Sequence, residues 1–441
     1  MGPDADPSSR AARANALYSR SESLSSGTAS LGARTMASAD PSASGETIAT
    51  RPFAPRNGRT YLNDPSIVYP LPADLAELHR QSLRTLLLIQ VFGAPACSPA
   101  LAARPPTRIL EIGCGSGFWS MMCHRYFRGL GHGNIAFTGL DIAPLAPGAG
   151  AANGGSGTPR DVAKPDPEMN WRFVRHDIRQ TPFPFSDGEF DLVMVKDMGL
   201  AVTHSGQQRL MDEYLRVLKK GGHLEIWESD HTIRMLRPHV AGASPGTATA
   251  GAPEQEEDEH RAAAALGAYV MTSNTPLSPP LNNYLVEYNS WVSRALELRD
   301  VSAVPCTLIG PLLLQESDAL TDVRSRRVAI PLSEVRWEKE GVGGVVTKDG
   351  KSYIDTRGRG SKGEGGGRKA LSPAQAALRR TALETVVQGI QGMEPILREV
   401  SGKRVDEWEG WISKMAADLM GEAGTSWGEC LEVGAWWAQK K

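Results

Sequence analysis

Arg108-Ile-Leu-Glu-Ile-Gly-Cys-Gly-Ser-Gly-Phe-Trp119 sets a short apolar run against three alternate glycines and the first residues of a helical pattern. Read with elementary periodicity, Arg108–Ile112 is a strand. Gly113, Cys114, Gly115 and Gly117 make a turn, and a helix follows from Phe118 to about Phe127. Glycines in such a turn permit positive φ and let the backbone approach a ligand, with helix N–H groups pointing into the crevice. The sixth position of the loop, counted from Gly113, decides which ligand. A dinucleotide fingerprint needs Gly or Ala there, for tight helix packing beside a pyrophosphate. The residue is Phe118, which disfavours NAD or FAD and tolerates a ligand without pyrophosphate.

Moving outward, four further strands are expected, with helices between them. Ile135–Leu140 ends at Asp141, Trp171–His176 at Asp177, and Phe190–Val195 at Lys196-Asp197. A helix over Gln207–Leu218 precedes the fifth strand, His223–Glu228. Strands and helices alternating at this spacing predict a doubly wound, mostly parallel α/β sheet with helices on both faces. Three acids frame the crevice. Glu111 stands two residues before the glycine loop, where it would pair with the ammonium of an amino-acid ligand. Asp141 is placed to bind ribose hydroxyls. Asp177 is placed for an adenine amino group, with Ile142 and Ile178 on either side of the adenine ring. Lys196 sits at the crevice lip. Acids at strand ends also cap the following helix, but three acids in step with the glycine loop are a more demanding pattern than capping requires.

The whole run Ile109-Leu-Glu-Ile-Gly-Cys-Gly-Ser-Gly-Phe-Trp-Ser resembles the first motif of class I, Rossmann-like S-adenosylmethionine-dependent methyltransferases of the type 11/25 kind. Asp141, His176-Asp177-Ile178, Phe190-Asp191-Leu-Val and Leu215-Arg-Val-Leu-Lys-Lys-Gly-Gly-His-Leu match its later motifs in order. The resemblance covers residues 105–230. It implies a seven-stranded sheet, the last two strands being an antiparallel pair expected within 325–355, and it implies S-adenosylmethionine as cofactor. A second resemblance, carried by Tyr69-Pro-Leu-Pro-Ala-Asp-Leu-Ala-Glu-Leu-His-Arg and by Gly117-Phe-Trp-Ser, is to fungal methyltransferases related to the velvet-associated regulator of secondary metabolism. The insertions at 241–262 and 356–369 and a Trp-rich C-terminus depart from that group, so fold and cofactor carry over and a regulatory role does not.

The rest of the chain bounds the answer. It has 441 residues with 46 Gly and 30 Pro, and a formal charge of −2 gives no overall pull toward nucleic acid or anionic membrane. Residues 1–57 read as a disordered tail and 58–441 as one domain, with residues 282–441 over the acceptor side. The acidic cluster 254–259 reads as a solvated tip. Helices are expected at Asn282–Leu298, Pro373–Val400, Val405–Met420 and near Trp427–Trp437, and a hairpin at 345–354. Five scattered cysteines without CxxC spacing suit a reducing compartment and hold no metal. Without an apolar leader or span, the expected location is cytoplasmic or nuclear. Oligomeric state leaves no readable trace.

A methyl on a sulfonium is already electrophilic, so the chain has mainly to align an acceptor, either a small molecule or a protein side chain, and exclude water. Should the acceptor need to lose a proton, the candidate groups follow strands four and five: Asp197 and His204 first, then Glu228, Asp230 and His231. Trp408 and Trp411 share a helix face, which suits packing better than a pocket. A binding or scaffold protein with little turnover is the alternative reading.

Overall fold

The computed structural model describes residues 51–149, 163–237, 254–272, 275–339, 371–421 and 423–441. Strands β1 (Phe53–Arg56) and β2 (Arg59–Leu62) pair across Asn57-Gly58, both at positive φ, the turn that matches strand twist. This hairpin crosses the boundary expected at residue 57. Helix α1 (Leu75–Phe92) starts at Asp74, whose side chain accepts the Glu77 N–H, and stops at Gly93 in the left-handed region. The short α2 (Pro99–Ala103) leads into β3 (Arg108–Ile112), the glycine turn and α3 (Phe118–Gly129). Then come β4 (Ala136–Asp141), β5 (Asn170–Arg175), β6 (Phe190–Lys196), α4 (Gln207–Val217) and β7 (Leu218–Ser229).

The second half supplies β8 (Arg234–Leu236), α5 (Glu254–Ala265), β9 (Tyr269–Val270), β10 (Leu277–Ser278), α6 (Asn283–Glu297), α7 (Ile309–Gln315), β11 (Leu320–Pro331) and α8 (Arg336–Lys339). It closes with α9 (Pro373–Gly392), α10 (Glu394–Ser401), α11 (Val405–Leu419) and β12 (Glu429–Lys440). The acidic cluster forms the first turns of α5, with Asp258 and Glu259 exposed. The single helix expected over 373–400 is broken at Met393, because Pro395 lacks the N–H that continuation needs.

Seven strands run in the order β5-β4-β3-β6-β7-β12-β11, the first five parallel and the last two antiparallel. Short β8, β9 and β10 extend this sheet to ten strands. The antiparallel pair corrects two expectations. Its first strand is β11, as anticipated, but its second is the chain's last segment, where a helix was expected near Trp427–Trp437. Strand β12 lies between β7 and β11 with both faces covered, so it lacks the polar alternation that marks a half-exposed strand. The hairpin expected at 345–354 lies outside the described residues, as does the 356–369 insertion.

Alternation does mark the central strands. Ile109, Leu192 and Met194 join the core beneath α1, α3, α6 and α9 to α11, while Leu110, Ile112, Val193 and Val195 join the core beneath α4. Trp408 stacks on Trp411 at 5.2 Å, Trp291 lies 4.8 Å from Trp411, and Trp411 donates to Glu287. These rings are packing, as their helical spacing suggests. Among the described residues no helix is long and apolar enough to cross a membrane.

Glu225 on β7 is 0% exposed and accepts from the N–H groups of Cys97 and Ser98 at 2.9 and 2.7 Å and from the Trp227 indole. Burial pushes its carboxyl up to about 7. Between the ordinary carboxyl range and pH 7 the folded chain then binds a proton that the unfolded chain does not. Stability from this group is therefore full at low pH and falls as pH rises through 7. Denaturant unfolding of E225Q between pH 5 and 8 should show a shallower loss of stability than the native sequence. The rise from 4.5 to about 7 limits the difference to about 3 kcal/mol, and parallel curves would place the titration elsewhere.

Candidate active site

The glycine turn is built as its sequence implies. Gly113, Gly115 and Gly117 have φ of 65°, 52° and 74°, where a side chain would be strained. Gly113 and Cys114 both donate to the Leu140 carbonyl, at 2.8 and 3.2 Å, which ties the turn to β4. The Asp141 carboxylate accepts from Gly115 N and Ala143 N, each at 2.8 Å, so it is pinned at the loop by backbone donors. Burial raises its carboxyl against those bonds. A Cβ on Gly113 would stand 2.1 Å from the Met198 sulfur, so the glycine is required by the close approach of the turn after β6.

A cavity of about 270 Å³ runs along the carboxyl edge of the sheet, and Gly113, Gly115, Asp141, Ile142, Asp177, Ile178 and Lys196 all line it. Three other residues expected there do other work. Glu111 is 2% exposed and accepts from the Ser120 hydroxyl at 2.6 Å and the Ser120 N–H at 3.3 Å. It secures the first turn of α3 instead of meeting a ligand ammonium. Burial pushes its carboxyl up to about 7. Cys114 is buried, and its sulfur packs over Gly139. Gly117 is packed against Pro165 and Trp171, where a Cβ would not fit.

The carboxylate of Asp177 is engaged by Arg179, which donates to it through Nε at 3.0 Å and Nη2 at 2.8 Å. The same guanidinium reaches Asp64 at 3.2 Å and Ser66 at 2.9 and 3.0 Å. Asp177 thus fastens the 62–73 segment over the crevice while it also lines the cavity.

Asp197, expected to handle protons, is committed too. It accepts from Arg84 Nε at 2.9 Å and Lys196 Nζ at 2.8 Å, and these cations hold it well below the usual carboxylate range despite burial. A carboxylate so placed does not take up a proton near neutral pH. His204 is exposed, and its N–H donates to Asp300 O at 2.7 Å. Thr203 and Gly206 reach the cavity wall and His204 does not. It opens a short 3₁₀ turn, His204–Gly206.

Sequence reasoning left out most of the roof. Tyr69, Leu71 and Pro72 of the segment before α1, and Arg80, Gln81 and Arg84 of α1, line the cavity, together with Tyr288, Thr385, Val386 and Met393. One local signal existed, since Arg80 and Arg84 lie one turn apart among the buried residues of this helix, with Glu77 a turn before them. Glu228 and His231, named among the second-rank candidates, are on the wall as well. Among the described residues no cluster of three or more His, Cys, Asp or Glu suits a metal.

Residues 109–222 match the family described as methyltransferase domain. The chain carries a methyltransferase domain. Its cofactor is S-adenosylmethionine, and Gly113, Gly115, Asp141, Ile142 and Ile178 line the cavity. Over 186 residues the chain is 29% identical to the secondary metabolism regulator laeA of Aspergillus niger. That match covers 41% of this chain and 42% of the relative, so it spans less than half of that protein. Among solved structures, the N-methyltransferase NodS of Bradyrhizobium japonicum, in complex with S-adenosylhomocysteine, is 20% identical with a TM-score of 0.22. The match covers 35% of this chain and 63% of that one. YcgJ of Bacillus subtilis is 13% identical with a TM-score of 0.34, covering 82% and 99%.

Asp141→Ala removes a buried acceptor that also orders the glycine turn. Calorimetry with S-adenosylhomocysteine should show binding weakened by about 1–3 kcal/mol, the cost of losing a charge-assisted acceptor. An unchanged affinity would take Asp141 out of the cofactor site.

Proposed function

We propose that this chain transfers the methyl group of S-adenosylmethionine to a small-molecule acceptor bound in the same cavity as the cofactor. One observation carries the reading. One cavity is lined both by Gly113, Gly115 and Asp141 and by Tyr69, Arg84, Glu228, Tyr288 and Met393, and we read the part lined by the second set as its inner, acceptor compartment. Helices α1 and α9 and the 62–73 segment close over that compartment, which favours a small acceptor over the side chain of a folded protein. When bound, the cofactor supplies a methyl carried by a positively charged sulfur. The chain's own residues bind and align. Asp141 offers its remaining lone pairs to ribose hydroxyls, Ile142 and Ile178 flank the base, and Lys196 stands at the lip. The roof excludes water, which would compete with the acceptor and screen the site.

The likeness to a protein titled a regulator keeps a second reading in play, a cofactor-binding partner protein that turns over poorly. Calorimetry with S-adenosylhomocysteine, and NAD as control, followed by incubation with labelled S-adenosylmethionine and a cell extract, separates the two. Methyl transfer predicts binding of the first ligand alone, in the micromolar range, and label moving into a small-molecule fraction. Binding with no labelled product would favour the regulator, and binding of neither ligand would remove the cofactor reading.

A further inference from the structure

The inner compartment sets limits on what it accepts. Its apolar wall is made by Tyr69, Leu71, Ile233, Tyr288, Val386 and Met393. The Tyr288 hydroxyl donates to the His231 carbonyl at 2.8 Å, and the Tyr69 hydroxyl accepts from Gln81 at 3.2 Å, a bond that does not use its own proton. Three cations of the wall are bonded as well. Arg80 makes a two-point pair with Glu77 at 2.8 and 2.7 Å, Arg84 bonds Asp197 and the Ser229 hydroxyl, and Lys196 shares the same Asp197 carboxylate. Arg209 of α4, also on the cavity wall, is exposed. Aromatic and aliphatic walls around cations already held by acids fit a flat, largely apolar molecule.

An uncharged oxygen that receives a methyl must lose its proton, and the candidate bases on the wall are few. Asp197 is held ionised by Arg84 and Lys196. Asp230 accepts from Cys306 N at 3.0 Å and from Arg234 at 3.1 Å, so a cation bonds it directly, although burial raises its carboxyl. His231 has a buried Nε2 without a partner, but burial and Arg84 push it down to about 3, so at neutral pH it is a weak base. Glu228 differs from all three. It is 4% exposed, lines the cavity, and accepts only from backbone donors, Gly199 N at 2.6 Å and Ser229 N at 3.0 Å. No cation bonds it directly.

We propose that Glu228 takes the proton from a small, uncharged phenol or enol held in the inner compartment, making this chain an oxygen methyltransferase for such molecules. The inference rests on the methyl-donor reading above. As the proton passes to a Glu228 oxygen, the acceptor oxygen bonds the methyl carbon. The electron pair of the broken sulfur–methyl bond stays on sulfur, and Glu228 later releases the proton to solvent. The groups facing Glu228 are Asp197 at the end of β6, Arg84 of α1 and Cys306 of the turn before α7, with His231 and Asp230 following on its own strand end. Burial and the Asp197 charge push Glu228 up to about 7 against Arg84 and the two backbone bonds. That suits a base working near neutrality. A phenol, near 10 like tyrosine, is within reach of such a base, and an alkyl alcohol is a far weaker acid.

The test uses the full chain with 2-naphthol, a flat fluorescent phenol that stays uncharged near neutrality, as probe. Calorimetry reads S-adenosylhomocysteine binding, fluorescence reads probe binding, and chromatography reads the methyl ether. The native chain should bind both, form the ether, and lose rate as pH falls through about 7. E228Q should bind both ligands within about twofold of native and make the ether about 100-fold more slowly or less, the usual range for a lost general base. E228D should recover part of the rate. A probe that does not bind, or binds without forming ether while S-adenosylhomocysteine binds, overturns the acceptor class. An E228Q rate within threefold of native, or a flat pH profile, overturns the role of Glu228. Loss of S-adenosylhomocysteine binding in E228Q would make Glu228 a structural brace. Absence of that binding in the native chain would remove the methyl-donor reading itself.

Discussion

The buried pair between Arg84 and Asp197 is the contact on which the geometry of the crevice depends. Arg84 is 6% exposed and reaches from α1 to the ends of two adjacent strands, bonding Asp197 after β6 and Ser229 at the end of β7. Removing Asp197 would leave the buried Arg84 guanidinium with only the Ser229 hydroxyl, whereas Asp197 without Arg84 keeps Lys196. Helix α1 is therefore held over the carboxyl edge by more than apolar contact. Asp197 is held in turn at a φ of 56°, an unfavourable backbone for a residue with a Cβ. That conformation carries the chain into Met198, which lies across Gly113. The glycine at 113 and the strained aspartate at 197 answer the same requirement from opposite sides of the crevice.

A second tie works in the same way at the other end. Arg179 joins Asp177 to Asp64 and Ser66, so the segment that follows the β1–β2 hairpin is fastened to the end of β5. The hairpin itself is fastened to the C-terminal helices, through the Tyr61 hydroxyl on the Gly392 carbonyl at 3.2 Å and Asn57 on Glu394 at 2.9 Å. The roof is thus one continuous belt from β1 through α1 to α9 and α10, anchored at both margins by arginines on acids that end strands. Acids at strand ends here serve as anchor points for the cover as much as ligand contacts.

This division explains what the sequence revealed. The five parallel strands, the glycine turn and the position of Asp141 follow from local periodicity and spacing, because each is set by neighbours within a few residues. The ties of the roof are not local. Arg84 and Asp197 are 113 residues apart, and Tyr61 and Gly392 are 331 apart, so neither leaves a periodic trace. The last strand failed for another reason. With both faces covered, Glu429–Lys440 mixes acids and tryptophans without alternation, and its identity is fixed only by the pairing of β7 and β11 on either side. Asp177 and Asp197 were legible as acids beside a crevice. Their commitment to arginines was not: Arg84 reaches Asp197 from the distant helix α1, and Arg179, although only two residues from Asp177, is fixed there because it also bonds Asp64 and Ser66 of the segment before that helix.

The parallel register finally accounts for the contrast between Asp197 and Glu228. Lys196 lies beside Trp227, and the Asp197 N–H donates to the Trp227 carbonyl at 2.9 Å. The two acids therefore leave adjacent strands at the same edge. Cations reach only one of them: Arg84 and Lys196 both bond Asp197, and Glu228 receives backbone donors alone. Two carboxyls that share an edge repel each other's charge, so fixing the charge of one raises the proton affinity of its neighbour. The arrangement that secures α1 over the crevice is thus also the one that leaves a protonatable acid on its wall. A roof fastened to Glu228 instead would have stabilised the cover equally well and removed that property.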